Sequence, residues 1–248
     1  MRCWPILAAL ALTANGPVLA ADGANFNVIG YSADSRYFAF EQYGIQDGSG
    51  FAYWDVFVID LKTNAWVDGA PLRAVIEDET MKLSVARTKA RALAEPLLQK
   101  NAITEPAALI AANPATEVMA DRQRIAFDRW YRPMGASPES LATVDIRHEV
   151  SLQAVKLPDP KGCYDADGPY FGFSLTLKDL KLDSAHQFYK DEAIPASRGC
   201  AIAYDVAAVV APANVTDEDR MVAIVGVYSR GFEGADQRFV AVPFVLSD

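Results

Sequence analysis

The sequence predicts a mainly β fold in which antiparallel sheets form a sandwich or a partial, propeller-like arrangement. Segments with strand periodicity follow one another with short gaps, and one stretch around residues 78–112 has helical character. Strands and helices do not alternate along the chain, which argues against a doubly wound parallel sheet. We therefore expect a single mainly β domain over residues 21–248, with one helical insertion.

The first twenty residues have the pattern of a secretory signal peptide. Arg2 precedes an apolar run from Ile6 to Leu12, and Val18 and Ala20 stand at the −3 and −1 positions of a cleavage site. The run is too short to cross a bilayer; a buried N-terminal helix is the alternative. We expect a periplasmic or secreted protein that begins near Ala21 and has no membrane span.

The first predicted strands form a meander between Gly30 and Val67. The segment "RYFAFEQY" is rich in aromatic residues, and "DVFVIDL" is apolar on both faces, as in a strand buried on both sides. Between them lies "GIQDGSG", whose Gly, Asp and Ser residues favour a loop. Three or four antiparallel strands are expected here.

The predicted helix lies in "EDETMKLSVARTKARALAEPLLQKN". Apolar residues recur there at helical spacing and form one stripe: Leu83, Ala86, Ala90, Leu93 and Leu97. Pro96 is expected to kink or end the helix. A second, short helix is predicted over "ITEPAALIAANP", with Thr104 as its N-cap.

The rest of the chain is predicted to form strands. In "TVDIRHEVSLQA", Val144, His148 and Leu152 fall on one face and charged or polar residues on the other. The other strand candidates are "RQRIAFDRWY", "YFGFSLTL", "AIAYDVAAVV", "MVAIVGVY" and "FVAVPFVL".

Two cysteines, Cys163 and Cys200, remain once the signal peptide is removed. An exported chain meets an oxidising compartment, where thiols pair. Two buried free thiols are the alternative. We predict a Cys163–Cys200 disulfide.

Charge and composition exclude several classes of partner and cofactor. A net charge of −9 repels the phosphates of nucleic acids and anionic lipids. His148 and His186 are the only histidines, too few for a typical zinc site, and no cofactor is expected. Asp165 and Asp167 begin a D-x-D-G stretch suggestive of calcium, but Thr176 stands where an EF-hand needs its acidic ligand, so an ordinary turn is preferred.

No catalytic residue is assigned from the sequence. Ser49 lies between glycines but lacks a G-x-S-x-G elbow. The carboxylates of Glu41, Asp47 and Asp55 cluster around the first hairpin, and a carboxylate-dependent hydrolase is therefore one alternative function. A purely structural envelope component is another.

Aromatic residues flank the "GIQDGSG" loop and make it the best candidate binding site. The candidate residues are Tyr43, Asp47, Phe51, Tyr53 and Trp54. Rigid rings beside a loop can provide a contact surface, although they can equally pack the hairpin. We expect a non-catalytic binding module of the cell envelope, whose partner is an envelope protein or a glycan.

The segment Gly30–Val67 resembles one blade of a TolB-type propeller. In that repeat a "FSPDG" turn precedes a strand like "IAF", and a later strand reads "IYVMDLDG"; the corresponding segments here are "YSADS", "YFAF" and "VFVIDLKT". Ala33 and Ser35 replace the Pro and Gly of the turn. Only one copy is found, whereas a propeller needs at least about four blades, so the resemblance implies a blade-like hairpin.

A wider resemblance covers most of the mature chain. The signal peptide, "FEQYGIQDGSGF", the basic Ala-rich helix, "ATEV" and "VYSRGFEG" resemble a family of predicted secreted bacterial proteins of unknown function. This resemblance implies export and a single domain, and it brings no activity, cofactor or catalytic residue.

Overall fold

The computed structural model describes residues 21–128, 147–163, 168–213, 220–232 and 234–246. Helix α1 spans Leu83–Lys100. The strands, in chain order, are β1 Asn25–Ser32, β2 Tyr37–Ile45, β3 Ala52–Asp60, β4 Ala65–Trp66, β5 Leu72–Ile76, β6 Ile103–Glu105, β7 Ala107–Ala112, β8 Arg124–Phe127, β9 His148–Lys156, β10 Phe171–Asp179, β11 Ser184–Lys190, β12 Ala201–Pro212, β13 Met221–Arg230 and β14 Ala235–Phe244. The predicted signal peptide lies outside the described residues.

The strands form three antiparallel sheets, which confirms the mainly β prediction. The first sheet has the order β4-β3-β2-β1-β6, with β5 also paired to β3. The middle sheet has the order β14-β13-β12-β7, and the third sheet the order β11-β10-β9-β8.

The middle sheet is buried on both faces. Val206, Val209 and Val225 share one apolar cluster with residues of the third sheet. Val210 and Ile224 share another cluster with residues of the first sheet. This position explains why the β12 and β13 segments are continuously apolar rather than alternating.

Helix α1 covers the remaining face of the first sheet. Four residues at intervals of four are buried: Ala86, Ala90, Ala94 and Leu98. They pack against Ala39, Val56 and Val58. Small side chains along this line let the helix lie close to the sheet, and the layer order is helix, first sheet, middle sheet, third sheet.

The helix differs from its prediction in detail. Ala86 and Ala90 are buried as expected, but Leu93 is 49% exposed because the buried line continues through Ala94. Pro96 lies inside the helix, which continues to Lys100. A proline removes one helical hydrogen bond, and the packing of α1 on the sheet outweighs that loss.

The prediction of a second helix, with Thr104 as its cap, is wrong. Residues Ile103–Glu105 form β6, which pairs with β1, and residues Ala107–Ala112 form β7, which pairs with β12. Ala102 has a positive φ of 49° and redirects the chain after α1. Pairing with distant strands overrides the helix propensity of the alanines.

The strand predictions near β9 are confirmed where the structure describes them. His148, Val150 and Leu152 are buried on one face of β9, whereas Val144 and Ile146 lie outside the described residues. "RQRIAF" contains β8.

The predicted disulfide is present. Cys163 and Cys200 are bonded, with Cα atoms 5.6 Å apart and a separation of 37 residues in sequence. The bond joins the segment before β10 to the segment before β12, and so links the third sheet to the middle sheet. The calcium candidates Asp165 and Asp167 lie outside the described residues.

We expect replacement of both cysteines by alanine, C163A/C200A, to lower the free energy of unfolding by about 4 kcal/mol, because the cross-link restricts the unfolded chain. Urea denaturation of oxidised wild type and the double variant measures this difference. Reduced wild type is the control and should unfold at the midpoint of the variant. Equal midpoints for the oxidised wild type and the variant would contradict this expectation.

Candidate functional site

The β2–β3 hairpin places the predicted site residues on two opposite faces. Tyr43 pairs with Trp54 in the register, and their side chains lie on the face toward α1. Tyr53, one residue earlier, lies on the face toward the middle sheet. Asp47 and Phe51 are half-buried in the connecting loop. The five residues therefore do not form one surface.

On the helix face, Tyr43 and Trp54 belong to a packed structural cluster. Their rings stack with centroids 4.0 Å apart, and the Arg87 guanidinium lies over the Trp54 ring at 5.3 Å. Trp54 is buried. These two aromatics pack between the helix and the sheet.

Glu41 is the centre of that cluster, and its side chain is 0% exposed. Its Oε2 accepts hydrogen bonds from Arg91 Nε at 2.7 Å and from Trp54 Nε1 at 2.8 Å. Arg87 lies 3.7 Å from Oε1. The buried carboxylate is thus neutralised by cations from α1, and it ties the helix to the first sheet.

The opposite face of the hairpin borders an open cleft, which we call the β14 cleft. It consists of two adjoining cavities of about 210 and 260 Å³ between β3–β5 and β14. The residues that characterise it are Gln42, Tyr53, Asp55, Phe57, Trp66, Arg73, Arg198, Arg238 and Phe239. Tyr53, one of the predicted binding residues, and Asp55, one of the carboxylates considered for a hydrolase, therefore lie in a concave surface.

Among the described side chains that line the β14 cleft, Asp55 supplies the carboxylate. Its Oδ2 accepts a hydrogen bond from Gln42 Nε2 at 3.2 Å, and Arg73 Nε lies 3.8 Å from Oδ1. Burial raises the pKa of Asp55, and the Gln42 hydrogen bond and the charges of Arg73 and Arg238 only partly oppose this. Gln42 Oε1 also accepts the backbone N–H of Phe239 at 2.9 Å, which joins β2 to β14.

Tyr53 is held by an ion pair at one end of the cleft. Its hydroxyl donates to Asp22 Oδ1 at 3.1 Å, and Arg238 donates to Asp22 Oδ2 at 2.6 Å. The Arg238 guanidinium lies 4.7 Å from the centre of the Tyr53 ring. Burial raises the pKa of Tyr53, so the phenol stays protonated.

A second ion pair forms another wall. Arg198, from the short 3-10 helix Ala196–Arg198, pairs with buried Asp191. Its guanidinium lies over the Phe173 ring at 4.4 Å. Burial and the hydrogen bond to Asp191 raise the pKa of Tyr189 to about 12. Arg198 and Arg238 are therefore each paired with an aspartate.

Trp66 gives the cleft an open aromatic surface. It is 40% exposed, and its ring centre lies 5.8 Å from that of Phe57. Sequence reasoning missed Trp66, Arg198 and Arg238, since they come from separate parts of the chain. The one available signal was an isolated tryptophan beside the turn "LKTN".

The carboxylates proposed for a hydrolase do not converge. Glu41 lies against α1, whereas Asp55 faces the middle sheet, and Asp47 lies in the loop. In the described part of the chain, no group of three or more His, Cys, Asp or Glu residues is arranged to hold a metal ion. No described helix has the length and apolar character needed to cross a membrane.

The comparisons with known proteins identify a family. The model of the family described as "Predicted secreted protein (DUF2259)" matches residues 39–244, and the chain belongs to that family. No curated protein and no solved structure matches. The family description agrees with a periplasmic or secreted location. The resemblance of Gly30–Val67 to a TolB-type blade stays a prediction.

We expect Arg91→Leu to lower the free energy of unfolding by about 2 kcal/mol, because it leaves the buried Glu41 carboxylate with fewer partners. Arg87 and Trp54 still contact the carboxylate, so the loss of stability should be smaller than for a buried carboxylate left with no partner. Urea denaturation measures the effect. Lys89→Leu, on the exposed side of α1, is the matched control, and an equal loss in both variants would contradict the role of Glu41.

We expect Asp55→Asn to raise the melting temperature at pH 7. A raised carboxyl pKa means that the folded state binds the proton more tightly, so ionisation of Asp55 lowers stability at neutral pH. This cost is absent below the ordinary pKa of about 3.9, so the variant and wild type should converge in acid. Thermal melts from pH 3 to pH 7 measure the difference between wild type and Asp55→Asn, with the exposed Asp68→Asn as control. A lower melting temperature for Asp55→Asn than for wild type at pH 7 would contradict this expectation.

Proposed function

Because the chain belongs to a family of secreted proteins, we propose that it is a non-catalytic binding module of the cell envelope that holds a glycan in the β14 cleft. The observation that carries this proposal is the exposed Trp66 ring at the junction of the two cavities. A tryptophan ring that stays partly exposed at a concave surface offers rigid apolar contact area to a ligand.

The chemistry of the cleft suits a sugar ring. The C–H groups on one face of a pyranose pack against an aromatic ring, and its hydroxyls both donate and accept hydrogen bonds. Trp66 and Phe57 supply the apolar surface, while Asp55 and Arg73 supply an acceptor and donors. Arg73 is 60% exposed in its side chain, so its guanidinium is available to a ligand.

The charge of the cleft favours a neutral ligand. Arg198 pairs with Asp191, Arg238 with Asp22, and Arg73 lies near Asp55. The positive and negative charges of these side chains therefore balance, and the cleft selects neither an anion nor a cation. The two cavities together fall in the lower part of the size range of ligand pockets, about 300–1,000 Å³, which suits a few sugar units.

The same arrangement argues against glycoside hydrolysis. That reaction ordinarily uses two carboxyl groups on either side of the scissile bond, and among the described residues Asp55 alone brings a carboxylate to the lining of the cleft. Asp22 and Asp191 are each engaged by an arginine. Binding without bond cleavage is the function that these contacts support best, ahead of the hydrolase and the purely structural alternatives.

We expect Trp66→Ala to weaken the binding of a neutral oligosaccharide about tenfold or more, as removal of a central aromatic contact does at hot spots. Isothermal titration calorimetry with N,N′,N″-triacetylchitotriose, cellotriose and maltotriose measures the affinity of the wild-type mature protein and of the variant.

Phe232→Ala is the control, since Phe232 is an exposed aromatic that does not line the cleft. It should bind as wild type does. Absence of binding by all three sugars, or equal affinities for Trp66→Ala and wild type, would overturn the proposal.

A further inference from the structure

A second cleft, distinct from the β14 cleft, lies between the start of β1 and the middle sheet. Its volume is about 660 Å³, and we call it the Asp205 cleft. Residues 112–115 and 122–123 form its outer wall. The rings of Phe26 and Phe239, with centres 4.8 Å apart, lie at its apolar end.

Asp205 is a buried carboxylate that lines this cleft, and one of its two oxygens lacks a hydrogen-bond donor among the described residues. The residue is 5% exposed. Its Oδ2 accepts a hydrogen bond from the Tyr228 hydroxyl at 2.7 Å, whereas its Oδ1 has no hydrogen-bond partner among the described residues. Buried carboxylate oxygens are normally paired, because leaving one without a donor costs free energy.

The surroundings hold Asp205 in this position. Gln237 Nε2 donates to the Tyr228 hydroxyl at 2.8 Å, which leaves the hydroxyl proton for Asp205. Burial, together with the hydrogen bond and charge of Asp205, raises the pKa of Tyr228, so it remains a donor. A Cβ atom at Gly226 would lie 2.2 Å from Asp205 Oδ1, so only glycine at 226 leaves room for the carboxylate.

Arg122 places a positive charge in the same cleft. Its two terminal nitrogens donate to the carbonyl oxygens of Asn113 at 3.2 Å and of Ala115 at 3.3 Å. A guanidinium has more donors than these two bonds use, and the carbonyls hold it in place. The Asp205 cleft thus combines a carboxylate that lacks a donor, a fixed guanidinium and an apolar end.

We propose that the Asp205 cleft binds a free amino acid with a large apolar side chain. The ammonium group of the ligand would pair with the Asp205 carboxylate, and its carboxylate with Arg122. The side chain would lie against Phe26 and Phe239. Phe239 borders both clefts, but Trp66 and Asp55 do not line the Asp205 cleft, so this proposal does not depend on glycan binding.

The test uses three ligands that differ in one charged group at a time: L-phenylalanine, 2-phenylethylamine, which lacks the carboxylate, and 3-phenylpropionate, which lacks the ammonium group. Isothermal titration calorimetry with the mature protein measures each affinity. We expect L-phenylalanine to bind at least about tenfold more tightly than either of the others, since each lacks one charged contact.

The variant Asp205→Asn keeps the shape of the side chain and removes its charge. It should weaken L-phenylalanine binding at least about tenfold, while circular dichroism and the glycan affinity stay as in wild type. Asp68→Asn, exposed and outside the cleft, is the control. Failure of L-phenylalanine to bind wild type, equal binding of 2-phenylethylamine, or undiminished binding by Asp205→Asn would overturn the proposal.

Discussion

Burial of both faces of the middle sheet is the constraint on which the rest of the structure depends. The β12 and β13 strands carry apolar side chains toward the first sheet and toward the third sheet alike. Neither neighbouring sheet can shift without exposing one of these faces to water, which the hydrophobic effect opposes. The packing of α1 and the disulfide between Cys163 and Cys200 reinforce the stacking order of the layers, which this burial already imposes.

The polar groups that remain buried lie mainly at the borders between layers. Glu41 joins the helix to the first sheet, Gln42 joins the first sheet to β14, and Asp191 with Arg198 lies beside the middle and third sheets. Directional contacts of this kind specify how layers are oriented, which apolar packing alone leaves less defined. Asp205 differs from these groups because one of its oxygens lacks a partner in the described structure.

Local patterns in the sequence were enough to predict much of the fold. Alternation in β9, the burial of Ala86 and Ala90 in α1 and the pairing of Cys163 with Cys200 each follow from neighbouring residues or from composition. The segment Ala107–Ala112 was mistaken for a helix because its pairing partner, β12, lies far away in the chain. The candidate site was predictable only in part for the same reason. Tyr53 was among the predicted binding residues, but Arg198 and Arg238 come from distant parts of the chain and reach the cleft through the stacking of the sheets.

The side chain of Gln42 would couple ligand binding in the β14 cleft to the attachment of the first sheet to β14. One side-chain amide donates to Asp55 in the β14 cleft and accepts from the backbone of Phe239. A ligand hydroxyl that replaced this amide at Asp55 would free Gln42 to reorient, and would change the free energy with which the first sheet is attached to β14. By thermodynamic reciprocity, a change in that attachment would alter the ligand affinity by the same factor by which the ligand alters the attachment. A ligand bound in this way would link occupancy of the cleft to cohesion between the two sheets through a single amide.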